Sequence, residues 1–301
     1  VNPLVYVIVL TYNHVDVTLT CLESINALTY PNYEIVVVDN GSVDNTPEIV
    51  RQEFPELYLL ANQYNLGFAG GVNVGIKYAL WKNADYILLL NNDTIVTIDL
   101  LDKLIAKSKC LPDIGLLGPR ITYYNEPAKT WFVGGMKSRF TNELIDLNSK
   151  MNVLTFDERI FEVDYLYGTA VLISREVFKK IGLFDEVFFM YNEDLDFCIR
   201  AKTAGFKLIT VPNAVVKHLI ETSSGQNSAF LNYHKTRSNV IFNCKHTHGF
   251  RWLFVLPYRF LIVLRKTGKL IYYWRMDLVK ANIMGLFSGV KWLFTVKTNT
   301  H

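Results

Sequence analysis

The chain has 301 residues, half of them hydrophobic and a fifth charged, and a formal net charge of +3; such a chain can bury a large core, which excludes a disordered polypeptide and fits one large domain with or without an extension. Its four cysteines, Cys21, Cys110, Cys198 and Cys244, are far apart and lack CxxC spacing, so neither a zinc site nor a disulfide framework is expected and a reducing cytosol fits best. Residues 245–301 hold ten Lys or Arg against one acid, Asp277, a balance of +9 that leaves −6 on the rest, which argues against a nucleic-acid groove across the molecule and for one local attachment surface.

Taken in chain order, the apolar patterning predicts a strand over 4–10, a helix over 15–27, a strand over 33–38 and a helix over 46–54. A strand over 56–61, a helix over 69–81 and a strand over 86–90 follow, and then a candidate helix over 95–105. This alternation reads as βαβ units, hence an α/β fold with a mainly parallel sheet covered by helices. Residues 114–164 are less regular, with a strand over 114–117 and antiparallel segments around Tyr123 and Phe132. Beyond them come a strand over 166–173, helices over 175–181 and 194–204, and a strand over 207–211, and the pattern is helical and basic past Ser223. Arg251, Arg259 and Arg265 interrupt the greasiest stretch, so no spanning helix is expected. No signal-peptide charge pattern precedes the first strand, so secretion is not expected either.

Three early strands end in polar clusters: Thr11-Tyr12-Asn13, Asp39-Asn40-Gly41-Ser42 and Asn91-Asn92-Asp93. In open α/β sheets the ligand crevice lies at the carboxyl ends of the strands, so the three should converge. The Asp39 cluster suits a turn and helix cap, or a carboxylate that accepts a hydrogen bond from a nucleobase. The glycine-rich stretch from Asn65 to Asn73 suits a phosphate or ribose at a helix start, or close packing alone. Its Gly67, Gly70, Gly71 and Gly75 lack GxGxxG spacing and Thr11-Tyr12-Asn13, not glycine, follows the first strand, which argues against a nicotinamide enzyme. Asp93 follows a very apolar strand and either caps the next helix or binds Mg²⁺ or Mn²⁺ shared with a diphosphate. Glu193, Asp194 and Asp196 crowd together behind an aromatic run. Asp196 is placed to pair with Arg200, and mutual repulsion would raise a pKa at Glu193 or Asp194 toward the range of a general base. His218 ends an apolar strand as a structural histidine or as a further metal ligand.

In this order, the segments Ile8-Val9-Leu10-Thr11-Tyr12-Asn13, Val37-Val38-Asp39-Asn40-Gly41-Ser42, Asn65-Leu66-Gly67-Phe68-Ala69-Gly70-Gly71, Leu90-Asn91-Asn92-Asp93-Thr94, Gly182-Leu183-Phe184-Asp185-Glu186 and Glu193-Asp194-Leu195-Asp196 resemble family-two glycosyltransferases of the GT-A fold. More narrowly, they resemble the bacterial rhamnosyltransferase-like branch. The resemblance implies a Rossmann-like, mixed and mainly parallel sheet flanked by helices, with a C-terminal helical extension. It implies that Thr11 and Asp39 hold the nucleobase and that Asn65, Gly70 and Asn73 line the ribose and diphosphate. Tyr12, Asn13, Asn40, Gly67, Asn91 and Asn92 complete the donor set. By the same resemblance Asp93 is the metal-binding Asp of a DxD-type motif that here reads Asn-Asn-Asp, His218 adds a ligand, and Asp194, with Glu193 beside it, is the catalytic base. Gly168 and Thr169 fall near sugar and acceptor. The implied reaction is a single inverting displacement at the anomeric carbon.

The implied organisation is a catalytic domain over 1–240, with a nucleotide-sugar half over 1–113 and an acceptor and base half over 114–240, followed by a basic aromatic extension over 241–301. Aromatic and cationic clusters such as Tyr272-Tyr273-Trp274-Arg275 suit helices in a membrane interface, or an oligomer contact. Tyr233, His234, Arg237 and Asn239 are candidates to meet an acceptor or the donor diphosphate. The expected donor is dTDP-rhamnose, with a UDP-hexose next. The expected acceptor is a saccharide or polyprenyl-linked saccharide, handled by a peripheral protein at the cytoplasmic face of an anionic membrane. The sequons Asn40-Gly41-Ser42 and Asn92-Asp93-Thr94 fall inside the proposed donor site, where glycans would block it, which also favours the cytoplasm. Two rivals are a metal-dependent nucleotidyltransferase, which would want a basic Gly-rich loop after the first strand, and a non-catalytic sugar-binding membrane scaffold.

Overall fold

A computed structural model of the chain describes residues 2–149, 159–219 and 228–298. The described residues divide into two compact units. The first comprises those within Val1–Met136, Asp146–Val187 and Glu193–Thr222, the second those within Lys137–Ile145, Phe188–Asn192 and Ser223–His301.

The first half follows the expected alternation: β1 (Val5–Thr11), α1 (Val15–Asn26), β2 (Tyr33–Asp39), α2 (Thr46–Glu53), β3 (Tyr58–Ala61), α3 (Gly67–Trp81) and β4 (Tyr86–Asn91). β1 pairs in parallel with β2 and β4, and β2 with β3. The runs Val5–Val9 and Ile87–Leu90 are buried throughout, as strands covered on both faces require. α1 buries Thr18, Cys21, Leu22 and Ile25, one helical stripe. α3 lies with its backbone directly on β1: a Cβ on Gly75 would stand 2.7 Å from Ile8 Cγ2, and one on Gly71 2.5 Å from Leu10 Cδ1. Those two glycines serve close packing.

The sequence reading fails next at the helix over 95–105. Thr94, Ile95 and Val96 instead form β5 (Thr94–Val96), and the helix α4 (Leu100–Ser108) starts beyond them. β-branched residues suit a strand, and a partner was available in β12 (Lys207–His218). Asp93 is therefore not the cap of α4. β6 (Ile114–Tyr123) and β12 both outrun their expected ends at 117 and 211, because prolines that read as breaks are absorbed. Pro119 and Pro212 sit at one bulge, where the parallel register jumps between Val211 and Val215.

β7 (Thr130–Phe132) pairs antiparallel with β6, and β8 (Gly135–Lys137) and β9 (Leu144–Asp146) form a short ribbon. β10 (Phe161–Glu162) pairs with β12, and β11 (Ala170–Ser174) lies antiparallel between β4 and β6. Among the described residues the main sheet thus has ten strands, in the order β10-β12-β6-β11-β4-β1-β2-β3, with β5 and β7 added at the side. Helices α5 (Arg175–Ile181), α6 (Glu193–Thr203), α7 (Ala229–His246), α8 (Trp252–Tyr272) and α9 (Met276–Thr298) complete the described elements. Of the helical region expected past Ser223, residues 223–227 lie outside the described residues.

Seating α3 on β1 fixes the first unit, so Gly75→Val, which pushes three carbons against Ile8 and Val38, should destabilise it by about 1–3 kcal/mol. Thermal unfolding checks this; an unchanged melting temperature would contradict the close approach.

Candidate active site

The register of the sheet brings the polar strand ends side by side: Thr11 lies opposite Asp39, and Leu10 opposite Asn91. The loops that follow β1 and β2 bond to each other. Asn13 N donates to Ser42 Oγ (2.7 Å), Val43 N to Asn13 Oδ1 (3.0 Å) and His14 N to Asp44 Oδ2 (3.1 Å), with Asn13 and His14 in the left-handed region. Asp39, 2% exposed, accepts from the backbone of Gly41 (3.2 Å) and Ser42 (3.1 Å) and from the Ser42 hydroxyl. Its carboxylate thus shapes a turn at the strand end. Thr11 and Thr18 share a hydroxyl bond of 2.8 Å, and Asn92 Nδ2 donates to both, at 3.3 and 3.0 Å. Tyr12 is exposed at the rim.

Several residues expected at the donor are spent on building the loops. Asn40 Nδ2 donates to Asn65 Oδ1 and Gly67 O (both 3.0 Å), and its Oδ1 accepts from Asn62 Nδ2 and Leu66 N (both 3.1 Å). It is a bracket for the 62–67 loop. Gly41 needs its positive φ of 79° and its missing side chain, since a Cβ would lie 2.6 Å from the Tyr64 carbonyl carbon. Gly67 starts α3 with φ 74°, and Gly70 packs on Leu66. Asn73 is buried and holds residues 184–186, donating to Phe184 O and Glu186 Oε1 (2.9 Å each) and accepting from Phe184 N (3.1 Å). Asn65 sits in the loop, its Oδ1 bound by Asn40 and by Gly67 N at 2.8 Å.

Asp93 and His218 meet because β5 pairs with the end of β12: His218 lies opposite Thr94, and Leu219 N donates to Asp93 O at 2.8 Å. Asp93 Oδ1 stands 3.2 Å from His218 Nε2. Both atoms are buried, yet their geometry makes no hydrogen bond, and His218 Nδ1 has no partner either. Trp131 lies against the imidazole, ring centres 4.7 Å apart. Two buried polar atoms that face each other without a bond suit two ligands of one cation, because adjacent ligands of an octahedral ion at about 2.1 Å stand roughly 3 Å apart. No cluster of three or more such side chains exists among the described residues. Oxygens from water and a bound diphosphate would have to fill the remaining positions, which is the ordinary habit of Mg²⁺.

Across the edge, Asn91 N donates to Thr169 O at 3.0 Å, joining the end of β4 to the approach of β11. The strand expected over 166–173 begins only at Ala170, because Gly168 N donates to the Asp194 carboxylate (3.2 Å) instead. Leu195 N binds the other oxygen of Asp194 at 2.8 Å. The chain enters α6 through two left-handed residues, Tyr191 (φ 66°) and Asn192 (φ 67°). Burial raises the pKa of Asp194, opposed by those two backbone donors. Burial first and the neighbouring Asp194 charge second raise Glu193 well above the carboxylate range, and Glu193 Oε2 has no partner. The sequence reading credited repulsion alone; burial is the larger cause. Asp196 is fully buried against Arg200 (2.7 Å), which also donates to Ile181 O and Leu183 O, so this pair is structural.

The sequence reading missed an aromatic wall. Phe132 and Tyr167 stack at 4.1 Å, Trp131 lies 5.8 Å from Tyr167, and Asp146 accepts from Tyr165 (2.5 Å) and Tyr167 (3.4 Å). Its signal was the pair Trp131-Phe132 and the alternation Tyr165-Leu166-Tyr167 in a stretch that lacked clear periodicity. Tyr233, Arg237 and Asn239 lie on α7 in the second unit, where the Tyr233 hydroxyl bonds Ser288 Oγ at 3.0 Å and Asn239 O accepts from Asn243 at 2.7 Å. His234 stacks on Phe189 at 4.6 Å, and burial lowers its pKa.

This sheet, with polar strand ends gathered at one edge, is the fold of GT-A glycosyltransferases. Two solved structures share it: GalNAc-T7 with UDP, GalNAc and Mn²⁺ (TM-score 0.61, 15% identity, 80% of this chain and 50% of that one), and the mannosyltransferase PcManGT of Pyrobaculum calidifontis with GDP-Man and Mn²⁺ (0.59, 16%, 99% and 80%). The profile of the family described as Glycosyl transferase family 2 matches residues 6–182, and the chain belongs to that family of enzymes. Among its relatives are an N-acetylglucosaminyl-diphospho-decaprenol L-rhamnosyltransferase of Mycobacterium tuberculosis (28% identical, 69% of this chain and 73% of the relative) and the dTDP-rhamnosyl transferase RfbF of Shigella flexneri (26%, 74% and 71%). The rhamnosyltransferase WbbL of Escherichia coli K12 is 25% identical over 86% of this chain and 92% of its own.

Because Glu193 has a raised pKa in the fold, its contribution to stability is complete below the ordinary carboxylate pKa and is lost as pH rises through the raised value. Glu193→Gln should therefore melt higher than wild type at neutral pH, with the difference closing on acidification past the ordinary carboxylate range. Parallel melting curves across pH check this; a variant that melts lower at neutral pH would contradict a strained buried carboxylate.

Proposed function

We propose that the chain moves a sugar from a nucleoside-diphosphate donor, rhamnose from dTDP-rhamnose first and a hexose from a UDP-hexose second, onto a hydroxyl of a saccharide or polyprenyl-linked saccharide, with inversion. The observation that carries this reading is the Asp194 carboxylate, oriented by the Gly168 and Leu195 amides at the edge where β1, β2 and β4 end. Two relatives' names supply the substrate classes, a diphospho-decaprenol-linked N-acetylglucosamine and dTDP-rhamnose. In this reading the enzyme works as a peripheral protein at the cytoplasmic face of the membrane.

Asp194 takes the proton from the acceptor hydroxyl as that oxygen bonds to the anomeric carbon. The bond from that carbon to the diphosphate oxygen breaks, and the electron pair leaves with the nucleoside diphosphate. A desolvated carboxylate is a stronger base than one in water, so the raised pKa of Asp194 serves this step. Thr11 and Asp39 face the nucleobase, Asn65 and the start of α3 the ribose and diphosphate, and Gly168 and Thr169 the sugar and acceptor. Asp93 and His218 would hold Mg²⁺ or Mn²⁺, which supplies positive charge to the diphosphate as it departs. Asn91 stands where a second carboxylate would be in a DxD-type motif, leaving one carboxylate in the motif as a ligand. A nucleotidyltransferase is disfavoured by the turn after β1, which is bonded to Ser42 and Asp44 and carries no basic glycine-rich loop.

Nucleoside diphosphate release should be measured for a panel of nucleotide sugars, with saccharide and lipid-linked acceptors and Mg²⁺, Mn²⁺ or EDTA. The expected result is release from dTDP-rhamnose that EDTA abolishes and that Asp194→Asn lowers by about 10²–10⁴-fold while nucleotide binding persists. Release from no donor would favour the non-catalytic scaffold. Across pH, kcat/KM should fall on acidification through an apparent pKa above that of an ordinary aspartate, because the base must be ionised to act. A profile flat down to the ordinary aspartate range would contradict Asp194 as the buried base.

A further inference from the structure

α8 turns three cations inward and an apolar stripe outward. Leu253, Leu256, Phe260, Leu264 and Ile271 share one stripe at helical spacing, and all are exposed. Arg251, Arg259 and Lys266 lie on the opposite side and bond within the same unit. Arg259 donates to Asn142 O (2.9 Å), Lys266 to Asn282 Oδ1 (3.2 Å), and Arg251 to His246 O (3.2 Å) and the Asn142 side chain. A helix that faces water buries the first stripe and exposes the second, so α8 is arranged for an apolar neighbour.

α9 repeats the pattern. One side packs on α7, where Gly285 and Gly289 bring the backbones together: added Cβ atoms would stand 2.5 Å from Tyr233 O and 2.7 Å from Val240 Cβ. On the other side Ile283, Leu286, Phe287, Val290 and Phe294 recur at the same spacing and are exposed. Between the helices, Trp274 is 87% exposed beside exposed Tyr272 and Tyr273, the residue types that favour a membrane–water interface.

Charge selects the occupant. Residues 245–301 carry +9, so a second copy of this surface would be repelled and an anionic one attracted. Arg265, Lys269, Lys280 and Lys291 are exposed on these two helices, with stems long enough to reach phosphate while neighbouring side chains enter hydrocarbon. No described helix is long and apolar enough to cross a membrane, so the bilayer is met side-on. We propose that the outward stripes of α8 and α9 dock into the interface of a bilayer containing anionic phospholipid, with both helices in the membrane plane. This goes beyond the transfer reading, giving the expected peripheral attachment its surface, and rests on these helices alone.

The test is co-sedimentation of the full chain with phosphatidylcholine vesicles, with and without phosphatidylglycerol, together with tryptophan fluorescence. The chain should bind the anionic vesicles about ten-fold or more tightly than the neutral ones, with salt weakening the difference. The emission should shift to the blue on binding, and Trp274→Phe should remove part of that shift. Phe260→Glu with Phe287→Glu should weaken binding about ten-fold or more, while its circular dichroism stays that of wild type and nucleoside diphosphate release from the donor in the presence of soluble acceptors is unchanged. No sedimentation and no spectral shift for wild type would overturn the proposal. So would light scattering that shows a dimer dissociated by the double substitution, since the stripes would then be covered by a second copy. In either case persisting nucleoside diphosphate release would leave the transfer reading standing.

Discussion

The hydrogen bond from Asn91 N to Thr169 O, 3.0 Å long, joins the end of a parallel strand to the approach of an antiparallel one, and the site depends on that junction. β4 delivers Asn91, Asn92 and Asp93 beside the ends of β1 and β2. β11 runs the other way, so its beginning, not its end, lies at the same edge and brings Gly168 and thereby Asp194 there. A wholly parallel sheet would put the residues before β11 at the opposite edge. The polar ends of β1, β2 and β4 and the approach to β11, whose Gly168 holds the Asp194 carboxylate of α6, thus meet at one edge because the strands run in opposite directions.

The same edge concentrates groups whose local environments differ. Asp39 is buried but satisfied by three donors, and Asp196 is buried but neutralised by Arg200. Glu193 is buried with an unpartnered oxygen, and Asp194 has backbone donors but no cation against its desolvation. Burying a carboxylate without a cation costs free energy, and the fold carries that cost beside the proposed base. Asp93 and His218 form another unsatisfied place, a buried pair with the spacing of shared metal ligands and no bond between them.

Much of this was legible in the sequence because it is local. The alternation from β1 to β4 follows from apolar runs separated by helical stretches, and the polar strand ends announce themselves by following such runs. What was not legible depends on partners far away in the chain. Thr94-Ile95-Val96 became a strand because residues 216–218 offered an edge, and Pro119 was accommodated because β12 could bulge opposite it. Asn40 and Asn73 suit a ligand by type and place, and only the fold shows that four and three bonds respectively tie them to neighbouring loops. The Trp131, Tyr165 and Tyr167 wall escaped notice because short, irregular strands carry no periodic signal. In the second unit the excess of cations was plain from composition, whereas the inversion of α8, with cations inward and apolar side chains outward, needed the fold.

The proposed reaction is one displacement at the anomeric carbon with Asp194 taking the acceptor's proton, and the anomeric configuration of the product reports directly on whether the displacement is single. Proton NMR of the glycoside formed from a donor of known configuration should show the opposite configuration in the new linkage. Retention would require a covalent glycosyl–enzyme or another two-step route and would contradict the account.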